Sequence, residues 1–236
     1  MNQFPSQILA LRHSAWMPVV EANAGLPTAS KFGGIPWLQP GESWPTCQHC
    51  GQPMPLFLQL NLAELPEALR GKFGEGLLQL FYCTNTDAFC ETECDTFFPF
   101  TEGKFVRLIV PESETPPVVP EQIAHFPEQR IIGWKEADDY PDSQEALEQG
   151  VEYAEREWEA LIDADFPRSG DKLSGWPHWI QGIEYPNCRI CQTPMRLVFQ
   201  LDSNDHLPFM FGDMGCGHVT QCLEHKSEVT FAWACS

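Results

Sequence analysis

The chain has 236 residues, of which 43% are hydrophobic and 12% aromatic, and it carries a formal net charge of −19. This length suffices for one large domain or two small ones, and the apolar content is enough to form a sizeable core. The negative charge disfavours direct binding to a nucleic-acid backbone and favours a basic protein as partner, although the same charge can also serve solubility alone. No stretch approaches the roughly 20 apolar residues that a membrane span needs, and no secretion signal is visible at the first residues. We therefore expect a cytoplasmic protein without a membrane partner.

In chain order, the predicted elements begin with an N-terminal helical segment over residues 1–30, with a helix near residues 5–15. Residues 31–110 form a first β-rich repeat and residues 172–236 a second one, each containing a Cys-x-x-Cys turn. Short apolar runs bounded by turn residues indicate buried strands. These runs lie at residues 56–60, 76–83, 105–110, 197–201, 209–212, 218–222 and 229–235.

Between the repeats, residues 111–171 are predicted to be a connector followed by a helix. Residues 111–120 contain four prolines, which favours an extended chain. Apolar residues at helical spacing predict a helix over residues 143–162, capped by Asp142 and with Leu147 on its buried face. The polar face is rich in carboxylates, which we expect to lie largely in water. These are Glu145 and four candidate partner-binding residues, Glu148, Glu152, Glu155 and Glu159.

The two repeats are related by sequence. When residues 31–60 are set over residues 172–201, a constant offset of 141, twelve of the 30 positions are identical. The match includes both cysteines of each turn, Cys47 with Cys188 and Cys50 with Cys191. Agreement of this kind indicates an internal duplication. The predicted fold class is therefore α+β: a β-rich, internally duplicated fold with pseudo-twofold symmetry, two zinc-knuckle-like turns and connecting helices.

Ten cysteines in a reducing compartment are more often metal ligands than disulfides when they are closely spaced. A structural zinc site takes four ligands, usually as two close pairs. In the first half, Cys47 and Cys50 form the clear pair. Cys90 and Cys94 have the spacing of a second pair, and Cys83 is a spare.

In the second half, the clear pair is Cys188 and Cys191. A hairpin in which residue 222 lies opposite residue 229 would place Cys216 opposite Cys235 and complete a second set of four. The Cys222-x-x-His225 pair competes with that set. The sequence thus predicts one or two structural zinc ions, held by Cys47, Cys50, Cys90, Cys94, Cys188, Cys191, Cys216 and Cys235.

Several motifs resemble those of the YwqG-like proteins, a bacterial domain of unknown function, from about residue 31 onward. The matching motifs are Phe32-Gly33-Gly34-x-Pro36, Trp44-Pro45, residues 53–66, residues 76–82, Phe199-Gln200-Leu201-Asp202 and Phe211-Gly212-Asp213-x-Gly215. The resemblance implies a duplicated, β-rich α+β fold and no particular enzyme activity. It also implies a protein-binding role, since YwqG-like genes occur in toxin–immunity clusters.

A more distant similarity, to the programmed-cell-death-two family of eukaryotes, rests on Cys47, Cys50, Pro53, Met54, Leu56, Gln59 and Leu60 and their counterparts in the second copy. That family is implicated in chaperoning a ribosomal protein. No histidine spacing, nucleophile motif or phosphate loop indicates catalysis. We therefore expect a non-enzymatic, zinc-stabilised protein-binding module, chaperone-like or immunity-like, for a basic client. The alternative is a metal-dependent enzyme or a small-molecule-binding protein.

Overall fold

Ten antiparallel strands form one sheet whose two edge strands pack against each other, which gives a nearly closed barrel. The computed structural model describes residues 4–23, 25–112 and 125–236. In chain order, the strands are β1 (His13–Glu21), β2 (Lys31–Phe32), β3 (Leu56–Asn61), β4 (Leu77–Tyr82), β5 (Lys104–Ile109), β6 (Gln129–Asp139), β7 (Lys172–Ser174), β8 (Arg196–Asp202), β9 (Cys216–Gln221) and β10 (Val229–Ala234). Across the sheet, their order is β10-β9-β8-β7-β1-β6-β2-β3-β4-β5.

The described helices are few and short. They are α1 (Ser6–Leu9), α2 (Cys90–Glu93), α3 (Ser143–Glu148) and α4 (Glu155–Asp163), with one 3₁₀ turn at Glu67–Leu69. The protein is thus β-rich, as its sequence predicts. The proline-rich stretch predicted as an extended connector lies, from residue 113 onward, outside the described residues.

Aromatic side chains fill the barrel. Phe57, Tyr82, Phe199, Phe211 and Phe231 are each at most 1% exposed, and neighbouring rings such as Phe57 and Tyr82 lie 5.1 Å apart. Every residue of β4 is buried, and so are the first five of β3. These strands are covered on both faces, which explains why they are continuous apolar runs rather than alternating ones.

The longest strands, β1 and β6, form the centre of the sheet, and sequence analysis missed both. A helix was predicted near residues 5–15, but α1 ends at Leu9 and β1 begins at His13. β6 lies in the segment predicted to be connector and pairs with β1 from His13–Asp139 to Glu21–Arg130. Its residues carry several charges and only a partly buried pattern, so its apolar periodicity is too weak to indicate a strand.

The strand order reads alike from both edges, with β2 to β5 on one side of the β1–β6 pair and β7 to β10 on the other. Strand pairings in the first half recur in the second half 141 residues later, which is the offset between the two sequence repeats. Lys31 lies opposite Gln59, and Lys172 lies opposite Gln200. The register irregularity between Leu56 and Leu58 in β3 also recurs, between Leu197 and Phe199 in β8.

The single helix predicted over residues 143–162 is instead two helices, α3 and α4. The chain between them passes through Gly150 at φ +77°, a left-handed conformation that ends a helix and that glycine adopts without strain. Asp142 caps α3 as predicted, accepting a hydrogen bond from the Glu145 amide. The break changes which side chains face the core: Leu147 is 61% exposed, whereas Glu145 is only 3% exposed. Both were predicted the other way round.

The buried Glu145 gives a testable pH dependence. Burial raises the pKa of this carboxyl to about 7, so between pH ~4.5 and ~7 the folded state binds more protons than the unfolded state, and stability falls as pH rises through that window. We expect Glu145→Gln to raise the free energy of unfolding by up to about 3 kcal/mol above pH 7 and by little near pH 5. Denaturant unfolding at both pH values measures this. Glu148→Gln, an exposed change on the same helix, should show a much smaller pH-dependent gain, because the Glu148 charge adds only slightly to the raised pKa of Glu145. An equal gain in both variants would contradict the prediction.

Candidate metal centres

Each Cys-x-x-Cys turn lies in a long loop between two strands, which we call the arm: residues 33–55 in the first half and 175–195 in the second. A buried glutamine fixes each arm to the sheet. In the first half, Gln59 accepts a hydrogen bond from the Trp37 amide (2.9 Å) and donates to the carbonyls of Pro27 and Ala29. In the second half, Gln200 accepts from the His178 amide (2.8 Å) and donates to the carbonyls of Arg168 and Gly170. Because each glutamine is fully buried, its hydrogen bonds must be made within the protein. They hold the two arms in matching positions.

The turns themselves also match. The amide of Cys47 donates to the carbonyl of Gln52 and that of Cys188 to the carbonyl of Thr193, which closes a tight loop in each half. The residue after the second cysteine is left-handed in both loops, with φ +71° at Gly51 and +60° at Gln192. This conformation directs both cysteine side chains of a turn towards the same point.

The first centre is a group of four cysteines: Cys47, Cys50, Cys83 and Cys90. Their sulfur atoms all lie within 4.8 Å of one another, with 3.9 Å between Cys47 and Cys90 and 3.7 Å between Cys50 and Cys83. Cys83 directly follows β4, and Cys90 begins α2. The group lies in an apolar cluster that also contains Trp44, Met54, Leu56 and Phe81.

The second centre is formed by three cysteines and a histidine: Cys188, Cys191, Cys222 and His225. The sulfur atoms of Cys191 and Cys222 are 3.6 Å apart. Nδ1 of His225 lies 3.8 Å from the Cys188 sulfur and 3.7 Å from that of Cys222. Cys222 directly follows β9, as Cys83 directly follows β4, and His225 lies in the hairpin between β9 and β10.

These distances fit a tetrahedral metal ion. Bonds of 2.3 Å from zinc to sulfur imply sulfur–sulfur separations of about 3.8 Å in a tetrahedron, and about 3.6 Å between sulfur and imidazole nitrogen. All ten cysteines are free thiols, and the separations are far beyond the roughly 2.05 Å of a disulfide. Both groups can therefore hold a metal ion.

Without a cation, the local electrostatics would oppose four thiolates. Burial raises the pKa of Cys83 to about 12 and that of Cys90 further. At the more exposed Cys191, hydrogen bonds from Thr193 instead lower the pKa to about 6. A bound divalent ion reverses the effect of burial, because it stabilises thiolates directly.

The structure groups the predicted pairs Cys47–Cys50 and Cys188–Cys191 as expected, but it completes each set with residues that sequence analysis treated as alternatives. In the first half, Cys90 joins the group and Cys94 does not. Cys94 lies one turn further along, at the end of α2, where its sulfur faces Gly103. Cys83, the spare of the sequence analysis, takes the fourth position.

In the second half, neither Cys216 nor Cys235 joins the group, because both lie at the end of the β9–β10 hairpin opposite to the Cys188–Cys191 turn, which adjoins the end of β9 at Cys222. Val229 lies opposite Gln221 rather than residue 222, so Cys216 faces Ala234. The predicted register is thus wrong by one residue, although Cys216 would lie at the start of β9 in either register. Cys216 is 1% exposed and lies 3.7 Å from His218, and Cys235 packs against Gly212.

Residues 30–233 match the family described as a domain of unknown function, DUF1963. The chain belongs to the DUF1963 family. No curated protein matches it. Within the described part of this DUF1963 chain, no helix is both long and apolar enough to cross a membrane.

A third group of possible ligands in this DUF1963 domain, Asp171, Asp205 and His206, is explained by backbone contacts. The Asp171 amide donates to Asp205, and Asp171 itself accepts from the amides of Asp202 and His206. The first half makes the same two links without a histidine: the Ser30 amide donates to Glu64, and Ser30 Oγ accepts from the Asn61 amide. The group therefore fixes a loop, and its geometry requires no metal ion.

Proposed function

We propose that this protein is a non-enzymatic binding protein, stabilised by two structural metal ions, that holds a basic protein client in a chaperone-like or immunity-like role. The observation that carries the proposal is the pair of four-ligand groups, one in each half. Four protein ligands complete a tetrahedral shell and leave no position for a reactive water, which is typical of structural sites. Catalytic zinc sites instead usually have three protein ligands and an open position.

Zinc is the ion we propose for both centres. Thiolate and imidazole ligands in a tetrahedral arrangement favour zinc over magnesium or calcium, which prefer oxygen ligands. The ligand sets are Cys47, Cys50, Cys83 and Cys90 for one ion and Cys188, Cys191, Cys222 and His225 for the other.

We further propose that the two halves arose by internal duplication and that the chain is related to the YwqG-like proteins and, more distantly, to the programmed-cell-death-two proteins. Support comes from twelve identities in 30 positions and from matching glutamine contacts, turn closures and strand irregularities at the same offset of 141. Free thiols in this number fit the reducing cytoplasm, the location we propose.

The client-binding part of the proposal rests on charge. The net charge is −19, and Glu148, Glu152, Glu155 and Glu159 on and between α3 and α4 are all exposed. Exposed charges of one sign accelerate association with an oppositely charged protein and are screened by salt. We therefore assign these four residues to the first encounter with the client.

An affinity-tagged chain, purified with its metal, tests this proposal. We expect a stoichiometric partner of high isoelectric point, whose association with the purified chain is then measured by stopped-flow fluorescence at low and high salt. Replacing Glu148, Glu152, Glu155 and Glu159 with glutamine should slow association about tenfold at low salt and leave dissociation nearly unchanged.

The matched control removes four exposed carboxylates elsewhere, at Glu67, Glu75, Asp213 and Glu224, and should slow association less. A partner whose association ignores both salt and the α3–α4 changes would remove these residues from the binding site. Substrate turnover by the purified chain would refute the non-enzymatic proposal.

A further inference from the structure

A pocket of about 320 Å³ opens beside the first metal centre, between the α2 segment and the loop that follows β8. Its walls include Phe89 and Glu91 from the first half and Phe209 from the second. The volume is at the lower end of the roughly 300–1,000 Å³ typical of ligand sites. A single side chain or small organic ion would fill it.

Phe89 is held in an unusual conformation at this pocket. Its backbone is left-handed, with φ 48° and ψ 35°, a region that bulky side chains rarely occupy. Its ring is 68% exposed, so burial of the side chain does not compensate for the strain. Strained backbone of this kind is concentrated at binding sites.

Glu91 lies at the end of a hydrogen-bond network that extends from the barrel interior. The Trp233 indole donates to the Tyr82 hydroxyl (2.9 Å), and that hydroxyl lies 2.6 Å from Thr96 Oγ1 and 3.2 Å from Glu91 Oε2. Thr96 Oγ1 in turn donates to the Glu91 carbonyl (3.1 Å). Tyr82 is fully buried. The Glu91 carboxylate is thus positioned by contacts with the barrel interior. Its own helix, α2, has only four residues and could not position it alone. Among the residues that the structure describes, no side chain or amide donates a hydrogen bond to Glu91 Oε1, which leaves that oxygen available as an acceptor.

Aromatic faces and a carboxylate together select a cation with an apolar body. Phenylalanine rings attract cations through their negative faces, and a carboxylate accepts a charge-assisted hydrogen bond from an ammonium group. The net charge of −19 also favours cations near the surface.

We propose that the pocket formed by Phe89, Glu91 and Phe209 binds the side chain of a lysine, with its ammonium group on Glu91 and its methylene chain between the two rings. A single free carboxylate oxygen suits the compact ammonium group better than the broad guanidinium, whose fork is matched by two oxygens. This inference rests on the proposed function, because the lysine belongs to the basic client. It gives that client a specific anchor in addition to the general attraction of the acidic surface.

Two small probes test the pocket without the client. Nα-acetyl-lysine methylamide carries the ammonium group, and Nα-acetyl-norleucine methylamide replaces it with a methyl group of similar reach. Each is titrated into the isotope-labelled, metal-loaded full chain while NMR shifts are followed. We expect the lysine probe to shift Phe89, Glu91 and Phe209 with a dissociation constant on the order of 1 mM, and the norleucine probe to bind at least ~5-fold more weakly.

Variants in the same segment separate the contributions. Glu91→Gln should weaken the lysine probe about tenfold, whereas Glu93→Gln, which removes an equal charge from the same helix, should not. Phe89→Leu keeps an apolar side chain but loses the ring, and it should weaken binding about fivefold. Phe98→Ala is its control, since Phe98 is 58% exposed in the same segment but does not line the pocket. Zinc content is measured in every variant, so that damage to the adjacent centre is recognised.

Equal binding of the two probes, shifts located away from the pocket, or no shifts at all would each overturn this inference. So would equal effects of Glu91→Gln and Glu93→Gln in variants that retain their zinc. A basic client that binds the chain while the lysine probe does not would refute the pocket and leave the proposed function standing. If the lysine probe binds but no basic client is found, the pocket would stand and the proposed function would be refuted.

Discussion

Replacing Cys83 with serine should remove the metal ion of the first centre and destabilise the first half of the barrel strongly. Structural zinc contributes on the order of 10 kcal/mol to the folding of the segment that binds it. Loss of one ligand should therefore lower the free energy of unfolding by several kcal/mol. Elemental analysis of the purified variant should find about one zinc ion fewer per chain. Thermal unfolding should begin well below the wild-type transition.

Cys94→Ser is the matched control. Cys94 is also a buried cysteine of the same half, 8% exposed against 3% for Cys83, but it lies outside the group of four. It should keep the full zinc content and lose little stability. In the second centre, Cys222→Ser should behave like Cys83→Ser, and Cys216→Ser like Cys94→Ser. Full zinc content in Cys83→Ser together with loss of zinc in Cys94→Ser would restore the ligand set predicted from sequence.

Asp139→Ala should be the most damaging change away from the metal centres. Its carboxylate accepts from Lys172 Nζ at 2.9 Å, and both side chains are fully buried. It also accepts from the amides of Tyr140, Arg168 and Trp176, and so joins β6 to β7 and to the second arm. Without Asp139, Lys172 would be a buried charge with no partner, which costs about 3–5 kcal/mol. We expect the melting temperature to fall by about 10 °C.

The neighbouring residue provides the control. Asp138 pairs with Arg12 at the surface, where both side chains are more than half exposed, and such pairs contribute about 1 kcal/mol or less. Asp138→Ala should therefore leave unfolding almost unchanged. A double variant, Asp139→Ala with Lys172→Met, should recover part of the loss, because it removes the stranded charge as well as its partner. If Asp139→Ala and Asp138→Ala lowered the melting temperature equally, this account of the buried Asp139–Lys172 pair would be contradicted.

The sequence alone predicted the parts of the protein that depend on local pattern. β3 and β8 were predicted from short apolar runs, since five consecutive buried residues in each strand leave a direct trace in composition. The two Cys-x-x-Cys turns were predicted because their spacing brings two thiols together without any distant residue. The offset between the halves required only a comparison of the chain with itself.

Tertiary structure decided the partners of those turns and the centre of the sheet. Cys83 and Cys94 lie in the same segment, and only the packing of α2 against β4 determines which sulfur meets Cys50. Cys222 and His225 replaced Cys216 and Cys235 because the Cys188–Cys191 turn precedes the first residue of β8, which pairs with the end of β9 rather than with its start.

The β1–β6 pair joins residues more than a hundred positions apart, and β6 has too many charges to show a clear strand period. Glu145 and Leu147 exchanged environments because Gly150 ends α3 before the periodicity expected of one long helix can be completed. The sequence determined which residues could form strands and bind metal, whereas long-range pairing determined which of them meet. That difference follows from physics: local pattern acts over a few residues, while register and packing are fixed only when distant strands bury their faces against one another.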